Sequence, residues 1–389
     1  MLITASRHCE TVGSVGINEV QRILKLESDS FEDSSSMCVS GDQLDNVMDE
    51  MMIAVPVKDE MTNLLDGVLR AIPDRCQVCV VSNSPHKKGP SFAAEKELVR
   101  RDHDFTKHPV CIVHQTDKEL GEALQEAGYH HILDGDGTVR NGKAEGMMVA
   151  LLMAKHFKKK YIGFIDADNY IPGAVNEYVS DFAAGFCMSD SPHVLVRLHW
   201  RYKPKIIGKR LRFRKWGRVS ETTNRYLNQF IAEQTGFGTD VMKTGNAGEH
   251  AITMSLAEKM CYSTGYSIEP YHIVHLLESY GKGGSGDQNI MEGSIDVRQI
   301  ETLNPHFHEE KGGEHVKRML VEALSTIYHS EISSEALKSR IMDELRTKGV
   351  VGKGEAIPAN IKIPSIEDVD INRLVTRLTS QSGTYLNLT

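Results

Sequence analysis

Between residues 50 and 166 the apolar positions alternate between two rhythms. Short unbroken apolar runs recur at MMIAVPV (51–57), CQVCVVSNS (76–84), VCIVHQ (110–115) and YIGFID (161–166). Each is too short for a globular helix and ends in polar residues, so each reads as a strand buried on both faces. The segments between them have helical spacing. EMTNLLDGVLRAI (60–72) places Leu64, Leu65, Val68 and Leu69 on one side, and FAAEKELVRRD (92–102) and KAEGMMVALLMAKHF (143–157) follow the same period. DKELGEALQEAG (117–128) adds an Asp at its start and a Gly at its stop. Repeated strand–helix units predict an α/β fold with a Rossmann-like, mostly parallel sheet covered on both faces. In such sheets ligands collect at the carboxyl ends of the strands. Those ends carry Lys58 and Glu60, Ser82 and Asn83, His114 and Gln115, and Asp166 and Asp168.

Outside this core the pattern changes. VGINEVQRILKL (15–26) reads as a strand and short helix, and the acidic, serine-rich segment 27–40 as a loop or linker. After residue 190 come a strand, HVLVRLHW (193–200), a basic loop, and helices at 221–236, 314–330 and 334–349. Residues 350–389, richer in Pro and Ile, read as a segment wrapping the surface. The expected organisation is an N-terminal strand, helix and acidic loop (1–49), a strand–helix core (50–250), and a helical C-terminal region (251–389).

Composition narrows the class. The net charge of −8, from 45 basic and 53 acidic residues, argues against a global nucleic-acid or membrane binder. No apolar run approaches the ~20 residues of a membrane span, and the N-terminus reads as no signal peptide. Seven scattered cysteines, with one CxxC at Cys76 and Cys79 inside an apolar run, suggest inert core thiols and a reducing cytoplasm.

Two aspartates separated by Ala167 close the last apolar run of the core. Paired oxygen donors at a strand end suit a hard divalent cation, Mg²⁺ or Mn²⁺, and the alternative is a turn rich in Asp and Asn. Asp134 and Asp136, in LDGDGT, offer a second acidic motif resembling that of haloacid-dehalogenase-type phosphatases, or a surface turn. Arg140 and Lys143 stand at a helix start, where backbone N–H groups favour anions. The spacing is not that of a Walker A loop. TGNAGEHA (244–251) sets Asn246, Glu249 and His250 among glycines, and NPHFHEEKGGEH (304–315) holds His306, His308 and His315. The run RYKPKIIGKRLRFRKWGR (201–218) reads as a basic loop near an anionic substrate, or as a partner or RNA patch.

PVKDE, VVSNS, KAEGM, GFIDADNYIPGAVNEYV, VRLHWRYKP, KWGRVSE, TGNAGEHA, STGYSIEPY and IETLNPHFHE, in this order, resemble the mannosyl-3-phosphoglycerate synthases, retaining glycosyltransferases of GT-A fold. The resemblance runs from about residue 10 to about 330 of the 389. It implies transfer of mannose from GDP-mannose to the 2-hydroxyl of 3-phosphoglycerate, with a divalent metal and release of GDP. It further implies a separate phosphatase acting on the product, and we expect a homodimer. On this resemblance Asp166-Ala167-Asp168 is the DxD motif, and Asp168 and His308 hold the metal. Pro56, Val57, Glu60, Ser82, Asn83 and Gln115 cradle the nucleotide, and Lys143 approaches the diphosphate. Thr138, Arg140 and Asn246 face the acceptor. A related sugar-nucleotide transferase and a phosphatase using Asp134 and Asp136 are the alternatives.

Overall fold

The computed structural model describes residues 2–4, 8–21, 36–86, 91–200, 203–207, 210–214, 218–307, 312–380 and 383–389. Its frame is a ten-stranded sheet. In chain order the strands are β1 (His8–Val12), β2 (Val15–Gln21), β3 (Met51–Val57), β4 (Gln77–Ser82), β5 (Val110–His114), β6 (Tyr161–Phe164), β7 (Val194–Trp200), β8 (His250–Thr253), β9 (Ile295–Thr302) and β10 (Tyr385–Leu388). Across the sheet they run β10-β5-β4-β3-β6-β8-β7-β9-β2-β1. Only β8, β1 and β10 lie antiparallel to their neighbours. The sheet draws strands from all three segments 1–49, 50–250 and 251–389, so that division follows chain order and does not mark separate sheets.

Alternation along each strand sends side chains to opposite faces, and both faces are dry. Met51, Ile53 and Val55 pack with helices Thr62–Ala71, Phe92–Thr106 and Pro172–Cys187. Met52 and Ala54 pack on the other side with Lys143–His156 and Ile268–Tyr280. The Lys143–His156 helix is buried from Ala144 to Ala154, which is why its sequence is apolar all round and not amphipathic. At Gly163 a Cβ would lie 2.9 Å from Ile53 Cδ1 and from the Phe182 ring, so glycine lets the Pro172–Cys187 helix settle on β6 without displacing either side chain.

The strand–helix units of the core follow the sequence pattern. Elsewhere the structure differs. Residues 8–21 form a hairpin turning at Gly13 (φ +59°), and β2 lies parallel to β9. Residues 22–35, which hold the expected short helix and most of the 27–40 linker, lie outside the described residues, and Ser36–Cys38 pairs with Leu2–Thr4. The basic run is an antiparallel hairpin, Lys203–Ile207 with Arg210–Arg214, and not a plain loop. The chain end does more than wrap the surface: β10 adds an edge strand to β5. Four elements had no clear signal: the Pro172–Cys187 helix, β8, the Ile268–Tyr280 helix and β9. Pro172 sits at the first turn of its helix, where its missing N–H costs nothing. Among the described residues no helix is long and apolar enough to cross a membrane.

Candidate active site

A cavity of about 990 Å³ opens at the carboxyl ends of β3, β4, β5 and β6. Pro56, Val57, Glu60, Asn83, Gln115, Lys143, Asp166, Ala167, Asp168 and Asn246 all line it. Residues spread over 190 positions of sequence therefore share one wall, because parallel strands deliver their carboxyl ends to one edge of the sheet.

Lys143 is the hub. It is the first residue of its helix, and Gly142 caps that helix with no side-chain bond. Its ammonium lies 2.9 Å from Asp166 Oδ1 and 3.0 Å from Glu269 Oε1. Burial disfavours its charge, but Asp166, Glu269 and Glu249 outweigh that and hold the ammonium well above the ordinary lysine range. Glu249 is fully buried; its Oε1 accepts from Asn169 Nδ2 at 3.2 Å and its Oε2 has no hydrogen-bond partner. Burial first, then the charge on Asp166, push its carboxyl up to about 8. Asn169 also donates to the Asp166 carbonyl at 2.8 Å, which turns the chain just past the strand so that both Asp166 and Asp168 face the cavity.

These acids test whether a hard cation fits. Asp166, Asp168, Glu249 and Glu269 line one wall around the single ammonium of Lys143, and one Glu249 oxygen is an orphan. Clustered carboxylate oxygens with excess negative charge are the donor chemistry of Mg²⁺ or Mn²⁺. The second expected ligand, His308, lies outside the described residues. Its neighbour His306 lines the cavity and stacks on Trp200 with ring centroids 4.3 Å apart.

The opposite rim joins three strand ends. Asn141 Oδ1 accepts from Lys58 Nζ and Asn83 Nδ2, both at 2.8 Å. Gln115 donates to the carbonyls of Arg140 (2.8 Å) and Gly142 (2.9 Å), fixing the approach to the Lys143 helix. The turn after β3 carries Asp59 in the left-handed region (φ +62°), held by its N–H donating to Ser84 Oγ at 2.9 Å.

The third wall is Thr244–Glu249. Arg197, fully buried on β7, donates to the Thr244 carbonyl at 2.6 Å and pins this loop. His250 Nδ1 lies 3.1 Å from the carbonyls of both Ala247 and Gly248. Burial, then Arg197 and Lys143, pull His250 down to about 3, so it is neutral and structural. Asn246 is 7% exposed and neither of its amide atoms has a partner, though it lines the cavity. Beyond it the wall is Gly312, Gly313, His315, Lys317 and Arg318, at the start of the Gly313–Tyr328 helix.

Several residues expected at the site stand elsewhere. Ser82 is buried and donates to Glu95 Oε2 at 2.5 Å, and its side chain does not line the cavity. Thr138 and Arg140 do not line it either. Asp134 takes the Thr138 hydroxyl at 2.9 Å, and Glu145 takes Arg140 Nε–H at 3.0 Å. Asp134 also accepts from the N–H groups of Asp136 and Thr138, so LDGDGT is a closed surface turn and the phosphatase alternative loses its nucleophile. Cys76 and Cys79 are buried, and burial pushes the Cys76 thiol up to about 12, as core thiols require. Sequence reading assigned no role to Lys58, Asn141, Arg197 or Glu269. Lys58 stood at a strand end, Arg197 and Glu269 stood unremarked inside VRLHWRYKP and STGYSIEPY, and Asn141 carries no local signal.

The family described as mannosyl-3-phosphoglycerate synthase matches residues 5–378. A mannosyl-3-phosphoglycerate synthase of Pyrococcus furiosus is 47% identical over 391 aligned positions, covering 99% of both chains. One of Aeropyrum pernix is 36% identical over 352, covering 90% of this chain and 91% of that one. Among solved structures, glucosyl-3-phosphoglycerate synthase of Mycobacterium tuberculosis in complex with UDP superposes with a TM-score of 0.54 at 14% identity, over 85% of this chain and 96% of that chain. The same enzyme with Mn²⁺, UDP and glucosyl-3-phosphoglycerate gives 0.51 at 14%, over 77% and 88%. The chain belongs to the mannosyl-3-phosphoglycerate synthase family, and is a glycosyltransferase of GT-A fold.

Proposed function

We propose that this chain transfers mannose from GDP-mannose to the 2-hydroxyl of 3-phosphoglycerate with retention, releasing GDP and mannosyl-3-phosphoglycerate. The observation that carries the reading is the convergence of Asp166, Asp168 and Lys143 on one wall, opposite an unpartnered Asn246, in a cavity large enough for both substrates. The names of the relatives supply the acceptor and the sugar. The nucleotide fits the rim of Pro56, Val57, Glu60, Asn83 and Gln115, with Ser82 buttressing it from behind.

A divalent ion, Mg²⁺ or Mn²⁺, would be held by Asp168 and His308, and would supply charge neutralisation to the departing diphosphate. The chain's own groups do the rest. Lys143, poised between Asp166 and Glu269, presents a fixed positive charge to the same diphosphate. The acceptor carries a phosphate and a carboxylate. Asn246, His315 and the wall of Lys317 and Arg318 at a helix start match that pair of anions, with Lys317 and Arg318 already paired to Glu314 and Glu322 and needing to share their charge with the acceptor. Thr138 and Arg140 act one step back, through the turn that precedes Lys143. The acceptor hydroxyl then attacks from the face the diphosphate leaves. A separate phosphatase would consume the phosphorylated product.

Incubation with GDP-mannose, 3-phosphoglycerate and Mg²⁺ or Mn²⁺ tests this directly. GDP and a phosphorylated mannoside are the expected products. Pyrophosphate release, or turnover without a nucleotide sugar, would refute the proposal.

A further inference from the structure

Three side chains from separate elements meet outside the cavity: His86, just past β4; His114, the last residue of β5; and Asp117, which opens the Lys118–Glu126 helix. Their ligand atoms all lie within 4.8 Å of one another. His86 Nε2 and His114 Nδ1 stand 2.6 and 2.9 Å from the same atom, Asp117 Oδ1.

The surroundings orient each group. His114 Nε2 lies 2.8 Å from the Ser84 carbonyl, an acceptor only, so that nitrogen carries the proton. In the neutral ring Nδ1 is then a lone pair. His114 is 4% exposed, and its Nδ1 makes no hydrogen bond of acceptable geometry although the carboxylate is near. Two acceptors so close require a cation between them, a proton or a metal ion; burial disfavours the imidazolium, but Asp117 and the Ser84 carbonyl outweigh it and raise His114 above the ordinary imidazole range. Asp117 forgoes the capping bond usual for its position; its Oδ2 accepts instead from Thr384 Oγ1 at 2.9 Å. His86 stacks on His114 at 4.4 Å, and Phe92 packs edge-on against both. Glu119, which also accepts from Thr384, adds negative charge nearby.

We propose that His86, His114 and Asp117 form a second metal site, for a transition ion of the zinc class, distinct from the cation site at Asp168. Two imidazoles and one carboxylate suit Zn²⁺, Co²⁺ or Ni²⁺ better than Mg²⁺. From 2.6 and 2.9 Å, His86 Nε2 and His114 Nδ1 would draw back from Asp117 Oδ1 by about 0.7 and 0.4 Å to reach the ~3.3 Å spacing of tetrahedral ligands at ~2.0–2.1 Å from the ion. The Ser84 carbonyl and the Thr384 hydroxyl supply the outer hydrogen bonds that hold such ligands in place. The ion would clip the ends of β4 and β5 to the following helix and, through Thr384, to β10. The competing occupant is a proton, with His114 as imidazolium beside Asp117.

The test uses the full-length chain carrying Asp168→Ala, stripped with chelator and titrated with ZnCl₂ by calorimetry, with thermal unfolding in parallel. We expect uptake of about one equivalent and a rise in Tm by mass action. Adding His86→Ala, a substitution at a half-exposed side chain, should weaken uptake at least ~10-fold and remove the Tm rise. No zinc uptake, or uptake that His86→Ala leaves unchanged, overturns the proposal and leaves the proton as occupant.

Discussion

Lys143 Nζ stands 2.9 Å from Asp166 Oδ1 and 3.0 Å from Oδ2 of the same carboxylate, and the chain at Gly248 passes so close that any side chain there would have to shift the pair. A Cβ at Gly248 would lie 2.9 Å from both Asp166 Oδ2 and Lys143 Nζ. Gly248→Ala is therefore expected to displace the pair and to cut transfer at least ~10-fold while costing about 1–3 kcal/mol of stability, measured by steady-state rates and denaturant melts.

Removing the ammonium has a different signature. Lys143→Ala leaves Asp166, Glu269 and Glu249 facing one another with no counter-charge. The expected cost is of the order of 3–5 kcal/mol, the usual penalty for an unpaired buried charge, together with loss of turnover. Lys143→Met should fold no better, because charge and not volume is what the acids need. A variant with unchanged unfolding midpoint would refute this account of the hub.

Asp168→Ala should abolish metal-dependent transfer in a chain that still melts cooperatively. Full activity in that variant, or full activity after chelation of the wild-type chain, would refute the cation assignment.

Asn246 and Thr138 separate the acceptor wall from its support. Asn246→Ala should weaken kcat/KM for 3-phosphoglycerate by about 10–100-fold, the value of a hydrogen bond to a charged group, with a smaller effect on the donor. Thr138→Val, which breaks only the turn around Asp134, should leave the acceptor KM within about twofold. The reverse ranking would put the acceptor on the other side of the Lys143 helix.

The buried His250 predicts an acid limb to stability. Its folded pKa, near 3, lies below the ordinary histidine value of about 6.5. Protons therefore bind the unfolded chain first, and the stability this residue contributes is present above pH ~6.5 and declines as pH falls toward 3. In His250→Gln, unfolding free energies measured by denaturant between pH 7 and pH 4 should fall less steeply than in wild type. Parallel slopes would show that His250 is not held neutral.

The sequence by itself determined the alternating core. Four apolar runs and four helical segments are local patterns, and local patterns fix a parallel sheet, its ligand-binding edge, and the chemistry waiting at Asp166, Asp168 and Lys143. Its ordered motifs also carried the family. What it could not determine was which distant groups complete each wall. Asn141 comes from the loop between β5 and β6, Arg197 from β7 and Glu269 from a helix between β8 and β9; Arg197 and Glu269 stand inside the ordered motifs, but nothing local says that either reaches the site. Thr138 and Arg140 sit four and five residues from the partners that claim them, Asp134 and Glu145, and only packing revealed that those bonds turn them from the cavity. Strand β8 has four residues and runs against its neighbours, so its identity rests on hydrogen bonds from β6 and β7, not on its own propensity. Periodicity is written residue by residue; the closing of a cavity depends on contacts across hundreds of residues, and those are set only when the whole sheet is assembled.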